Sequence, residues 1–231
     1  MHTRLVLVEG ISGAGKSALS EFAATHLRLH GLTTHCLSET TLLRDHFAQS
    51  WTAFSQQRRH LPSILIEDWQ RLADTWSQID GICLLDGALS VVTVALLLAV
   101  DIPHNQIRQT AHQVVSQLTA FSPCFIHLSG NVDAIVQRTQ QTRGAVWTDH
   151  MTSFVDGQPY QLARGRTGIV GLGLFLQDLQ KLLGEILQEQ YAICSIDSSA
   201  GDWSDYQRTI LSYLKHELQV PEAGGPTGAC S

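Results

Sequence analysis

Gly10-Ile11-Ser12-Gly13-Ala14-Gly15-Lys16-Ser17 fits the phosphate-binding pattern G-x-x-x-x-G-K-[ST] at every defined position. Its neighbours give it weight. Leu5-Val6-Leu7-Val8 is an apolar run of strand length, and in Ala18 to Arg28 the apolar residues Leu19, Phe22, Ala23 and Leu27 recur at helical spacing. A loop between strand and helix can aim successive backbone N–H groups at one anion, with the partial positive charge of the helix start behind them. Gly10, Gly13 and Gly15 permit the backbone conformations this requires, and Ser12 and Ala14 complete the loop. Lys16 is expected to reach the β- and γ-phosphates of a nucleoside triphosphate, and the Ser17 hydroxyl to join a Mg²⁺ shell.

Outward from the loop, strand-like runs fall at Arg4 to Val8, Thr34 to Ser38, Ile82 to Leu85, Cys124 to Leu128 and Tyr191 to Ile196. Helical patterns lie between them: Lys16 to Leu29, two or more helices in Thr41 to Gln78, two more in Ala88 to Ala120, Val132 to Thr142 behind an Asn131 cap, and Ile169 to Gln190. A last helix, Trp203 to Leu218, follows Asp202. Such alternation predicts an α/β fold, a three-layer α/β/α arrangement around a five-stranded parallel sheet, with ligands at the carboxyl ends of the strands. One domain is expected over residues 1–220, with a Gly- and Pro-rich tail over 221–231 that has little to bury.

Composition excludes several classes. The 231 residues are 44% hydrophobic and 16% charged with a net charge of -6, which suits a globular domain and argues against a nucleic-acid partner. Four apolar residues before Glu9 are too few for a signal peptide, and Ala88 to Val100 is too short to span a bilayer, so no membrane partner and a cytoplasmic location are expected. Cys36, Cys83, Cys124 and Cys194 fall in separate apolar runs, the pattern of buried thiols rather than of a zinc site or a disulfide framework. His26 and His30 have metal-ligand spacing but no third ligand. A homodimer is allowed.

Residues following the strands are candidates for chemistry. Glu39 follows strand two and Asp86 strand three, so two carboxylates face the phosphate loop. Phosphoryl transfer needs acids to hold Mg²⁺, directly or through water, and to orient or deprotonate the attacking oxygen. Asp86 ends an apolar run in the manner of a Walker B segment and is the expected metal partner of Ser17; either acid can be the base. Residues 40–80 hold Arg44, His46, Phe47, Trp51, Phe54, Arg58, Arg59, His60, Trp69, Arg71 and Trp76. They are expected to build an aromatic-lined acceptor site, although most such rings belong to the core.

The phosphate loop, the acid after strand three and the arginine-bearing helix after strand four resemble the P-loop kinases of nucleosides, nucleotides and small molecules over about residues 4–218. Phe125-Ile126-His127-Leu128, Asn131 to Arg138 and Arg143 look like the thymidylate-kinase-type passage from strand to helix to lid, here about residues 138–168. The resemblance implies ATP and Mg²⁺ as cofactors, Arg138 and Arg143 as stabilisers of the moving phosphoryl group, Arg164 and Arg166 as candidates from the far side of the lid, and Asp197 and Ser198 near the adenine. The chain departs from thymidylate kinases in lacking arginines after strands two and three, and from deoxynucleoside kinases in lacking Glu-Arg-Ser after strand three, while Glu39 and Trp51 echo the latter. The expectation is an ATP-dependent kinase acting on a hydroxyl of a small molecule, a nucleoside or another natural product. The alternatives are a nucleoside monophosphate kinase and a regulatory P-loop ATPase.

Overall fold

A computed structural model describes residues 3–57, 59–188 and 193–219. The tail at 221–231 and Arg58 lie outside the described residues. In chain order the elements begin with β1 (Arg4–Gly10), α1 (Lys16–Leu29), β2 (Thr34–Leu37), α2 (Glu39–Thr41), a π-helical turn at Leu42–His46, α3 (Ala48–Ser55) and α4 (Leu61–Trp76). They continue with β3 (Ile82–Asp86), a second π-helical turn at Ser90–Ala95, α5 (Leu96–Ala99), α6 (His104–Gln117) and β4 (Cys124–Ser129). The remainder is α7 (Val132–Asp156), α8 (Pro159–Leu162), α9 (Gly168–Gln188), β5 (Ile193–Asp197) and α10 (Trp203–Leu218).

The five strands pair in the order β2-β3-β1-β4-β5, all parallel, as the alternation of elements predicts. The most apolar strand is central: Leu5, Val6, Leu7 and Val8 are fully buried between β3 and β4. Helices cover the sheet in packed groups, α1 with α10, and α4 with α6 and α6 with α9. Chain direction reverses around β1, which leaves the crevice at the carboxyl ends of β1 and β3 open to a ligand. Register then aligns the chemistry. Val8 pairs with Asp86, so the acid ends its strand two residues short of the level where Gly10 opens the loop.

Local signals set the helix starts. Asn131 accepts the Ala134 N–H at 3.0 Å and Asp202 that of Asp205 at 3.1 Å, both as N-caps. The apolar stretch Ala88 to Val100 is buried, as its composition requires, but as a π-turn leading into α5 rather than one regular helix. Cys83, Cys124 and Cys194 are buried and unbridged, and Cys36 is half-buried. Burial pushes the Cys83 thiol to about 11 and that of Cys124 to about 12, which keeps both protonated and inert. Among the described residues no helix is long and apolar enough to cross a membrane.

The longest departure from the sequence pattern is in α7. The periodicity stops at Thr142, yet the helical run continues to Asp156, broken at Gly144 (φ 70°, ψ -165°). That backbone conformation is closed to a residue with a Cβ, so the glycine acts as a joint between two helical legs. Trp147, Met151 and Phe154 recur at helical spacing on the second leg.

Candidate active site

Two cavities meet at the carboxyl edge of the sheet. The first, about 390 Å³, is floored by the phosphate loop through Ser12, Gly13, Gly15, Lys16 and Ser17. Helix α1 starts there with Gly15 in a left-handed conformation (φ 103°), with no side-chain cap and no acid in its first turn. Its positive end thus carries no protein side chain as a cap, an arrangement suited to an anion. A Cβ on Gly15 would overlap the Trp203 ring, and one on Gly13 would overlap the Thr139 hydroxyl. The loop is therefore gripped closely by α7 and α10. Ala14 is buried beneath it, its N–H donating to the Ile11 carbonyl at 3.2 Å.

Lys16 is almost wholly buried, and its Nζ donates to the Ile11 carbonyl at 3.2 Å. Gly87, just beyond β3, explains how it fits: a Cβ there would stand 2.8 Å from Lys16 Cε and 3.6 Å from a Glu39 carboxylate oxygen. Lys16 and Glu39 thus approach one another across a residue with no side chain. Glu39 opens α2 behind a Ser38 cap that accepts the Thr41 N–H at 3.3 Å. Burial raises the Glu39 carboxyl above its ordinary range, with Lys16 opposing and Asp86 adding to the rise.

Asp86 lines the same cavity, and its Oδ1 is buried with no hydrogen-bond partner. An unsatisfied acid oxygen sharing a wall with the Ser17 hydroxyl is a donor set suited to a hard divalent cation. No cluster of three acidic, histidine or cysteine side chains occurs among the described residues. Mg²⁺ does not require such a cluster, since it is commonly held by one or two protein oxygens with phosphates and water supplying the rest. His26 and His30 are half-buried at the end of α1, their rings tilted with centres 4.3 Å apart and His30 Nδ1 2.9 Å from the His26 carbonyl.

Glu9, which the sequence reading passed over, is completely buried where β1 enters the loop. Its two oxygens accept the Leu89 N–H at 2.9 Å and the Ser90 N–H at 2.6 Å, tying the loop to the turn after β3. Burial pushes its pKa to about 7, partly offset by those bonds.

The expected arginines divide. Arg143 lines the first cavity from an exposed position. Arg138 lines it too, but donates to the carbonyls of Ser198 and Ser199 at 2.5 and 2.9 Å and of Gly13 at 3.4 Å. Asp197 and Ser198 are not on the cavity wall; Asp197 accepts from Ser199, and Ser198 is buried against Ser129. Arg164 and Arg166 are turned away, paired with Asp101 at 2.8 Å and Asp178 at 2.6 Å. These two anchor α8 to its surroundings rather than facing the phosphate site.

The second cavity, about 470 Å³, lies on the other side of Glu39. Ser12, Glu39, Thr40, His150 and Met151 line both cavities and so form their common wall. The rest of its lining corrects the acceptor expectation. Of the described aromatic and basic residues of segment 40–80, only Arg44 and Trp51 reach it. Trp69 and Trp76 are core, Trp69 donating to the Thr93 hydroxyl at 2.9 Å and packing edge-on to Phe47. The remaining wall comes from elements far away in sequence: Val91, Ala95 and Leu96 after β3, Phe154 on the second leg of α7, and Phe175, Leu176 and Leu179 on α9.

No protein-family model matches this sequence, and no curated protein is similar to it in sequence. Similar solved structures do exist. Thymidylate kinase from Candida albicans aligns over 95% of this chain and 94% of its own at 12% identity, TM-score 0.53. Deoxyadenosine kinase from M. mycoides covers 92% of this chain and 98% of its own at 15% identity, TM-score 0.51. Shikimate kinase from Acinetobacter baumannii covers 93% and 94% at 14% identity, TM-score 0.50. At these identities the likeness is one of fold alone, the five-stranded parallel α/β fold that this chain shares with the three structures.

Proposed function

We propose that the chain is an ATP-dependent kinase that transfers the γ-phosphoryl group to a hydroxyl of a small molecule. The observation that carries this is the position of Glu39, a carboxylate in the wall between a phosphate-loop cavity and a second, largely apolar cavity. A base in that wall faces a donor on one side and an acceptor on the other.

In this reading the loop N–H groups and Lys16 hold the β- and γ-phosphates, and Arg143 adds positive charge from the rim. Ser17 and Asp86 would hold Mg²⁺, which when bound neutralises phosphate charge. Glu39 accepts the acceptor's proton; Asp86, aimed at the metal, leaves that role to it. Arg138 positions the loop through Gly13. The three structural neighbours named above are kinases of thymidylate, deoxyadenosine and shikimate, which supports phosphoryl transfer to a small molecule without choosing between a hydroxyl and a phosphate acceptor.

The test is ADP release from MgATP with and without candidate acceptors. Acceptor-dependent release supports the kinase. Steady hydrolysis that no acceptor accelerates would point instead to a P-loop ATPase. A monophosphate acceptor would need a fixed cationic clamp, and Arg44, the arginine on the second cavity, is bound through both Nε and Nη2 to Asp45 at 2.6 Å.

A further inference from the structure

The second cavity differs chemically from a site for a nucleoside, a nucleotide or a polyhydroxylated acid. Away from the wall shared with the phosphate loop, its lining is Leu43, Val91, Leu96, Phe154, Phe175, Leu179 and their neighbours, with Arg44 and the Trp51 indole as the polar exceptions. The Arg44 guanidinium is already held by Asp45. The polar groups Ser12, Glu39, Thr40 and His150 all lie on the one wall that also borders the phosphate loop.

The apolar walls are built rather than incidental. Trp51, Phe54 and Phe154 stack in sequence, with ring centres 5.3 and 5.8 Å apart, joining α3 to the second leg of α7. Both π-helical turns contribute, Leu43 and Arg44 from the first and Val91 and Ala95 from the second. Such turns are rare and concentrate where a helix must redirect side chains toward a ligand. Phe175, Leu176 and Leu179 are nearly fully buried in α9, so that wall is part of the packed core.

We propose that the acceptor is a predominantly apolar alcohol, its hydroxyl at the Ser12–Glu39–His150 wall and its hydrocarbon or aromatic body between Leu43, Val91, Phe154 and Leu179. The proposal rests on the kinase reading for the transfer step. A sugar ring or base edge in this cavity would face side chains with no donors or acceptors, and each polar group left unpaired lowers affinity by about tenfold to a hundredfold. An apolar body loses nothing there and gains the burial. In the transfer, the acceptor oxygen forms a bond to the γ-phosphorus as the β,γ-bridging P–O bond breaks. The bridging oxygen leaves on ADP with the electron pair, and the hydroxyl proton passes to the Glu39 carboxylate.

Geraniol and 3-phenyl-1-propanol are suitable probes, with thymidine, thymidine monophosphate and shikimate as polar comparators, on the full chain. Calorimetry without nucleotide reads the cavity; ADP release with MgATP reads transfer. The expected result is that at least one alcohol binds and drives ADP release at least tenfold faster than any comparator. Leu43→Gln should raise the alcohol's Kd and KM at least tenfold and leave MgATP affinity unchanged. If that variant unfolds, Trp51→Ser on the cavity rim serves the same comparison. Failure of both alcohols to bind overturns the proposal, as does faster turnover of a polar comparator, which would leave the kinase reading standing. Alcohol binding with MgATP binding but no transfer to any probe would support the cavity assignment and remove the kinase reading instead.

Discussion

The guanidinium of Arg138 lies over the face of the Trp203 ring, 5.7 Å from its centre, and so joins α7 to α10 directly above the phosphate loop. The same group donates to Ser198, Ser199 and Gly13 carbonyls. A lysine keeps the charge but not the planar fork that serves several carbonyls at once. Arg138→Lys should therefore lower stability by about 1–3 kcal/mol and weaken MgATP binding, as the contact with the Gly13 carbonyl loosens. Denaturant unfolding and calorimetry check this, and an unchanged midpoint with unchanged affinity would show that the stack holds nothing.

Lys16→Ala removes a buried ammonium group from the phosphate cavity. If Lys16 contacts the moving phosphoryl group, the lost contact is worth ~3–4 kcal/mol and turnover should fall about a hundred- to thousandfold. The fold should persist, with a cooperative melt. Near-normal phosphoryl transfer by the variant would end the kinase reading.

Glu39→Gln should preserve MgATP binding and reduce transfer by about 10²- to 10⁴-fold, the usual contribution of a positioned base. The pH profile carries a sign. The base works deprotonated, and burial raises its pKa. The acidic limb of kcat should therefore lie at higher pH than for an exposed glutamate, and should disappear in the glutamine variant. A wild-type limb in the ordinary carboxylate range would assign the base elsewhere.

Glu9 links folding to pH. Its ordinary value is 4.5 and its buried value about 7. Between those values the unfolded chain has released the proton while the folded chain retains it. Stability is thus fully present below about 4.5 and lost as pH rises toward 7, by up to ~3 kcal/mol. Glu9→Gln should remove this part of the slope. The check is denaturant unfolding of both proteins from pH 5 to 8, where parallel curves would show that Glu9 titrates normally.

The sheet, its order of strands and helices, and the phosphate loop were legible because each depends on neighbours in sequence: an apolar run, a capping Asn131 or Asp202, a glycine spacing. The second cavity was not, because no local pattern distinguishes a ring that lines a cavity from one that fills a core. Trp51 and Trp69 look alike in the chain, yet one stands at the rim and the other is fully buried against Phe47. The helical pattern after β4 ends at Thr142 in the sequence and the residues that follow fall in the expected lid, whereas a second helical leg beyond Gly144 carries Trp147, Met151 and Phe154 at visible helical spacing. The resemblance offered Arg164 and Arg166 as lid arginines, but each is paired with an acid that the local sequence does not point to, Asp101 and Asp178.

The joint at Gly144 lets one helix serve both cavities. Its first leg presents Arg138, Thr139 and Arg143 to the phosphate loop; on its second leg Trp147 lines the phosphate cavity, His150 and Met151 line both, and Phe154 lines the other alone. Substitution at Phe154 therefore reshapes one chamber, whereas a change at His150 or Met151 is felt in both. Changing the chain length at the joint would turn the two halves out of phase with each other, about 100° for every residue added or removed. The spacing between the legs is thus as much a determinant of the second chamber's shape as any side chain that lines it.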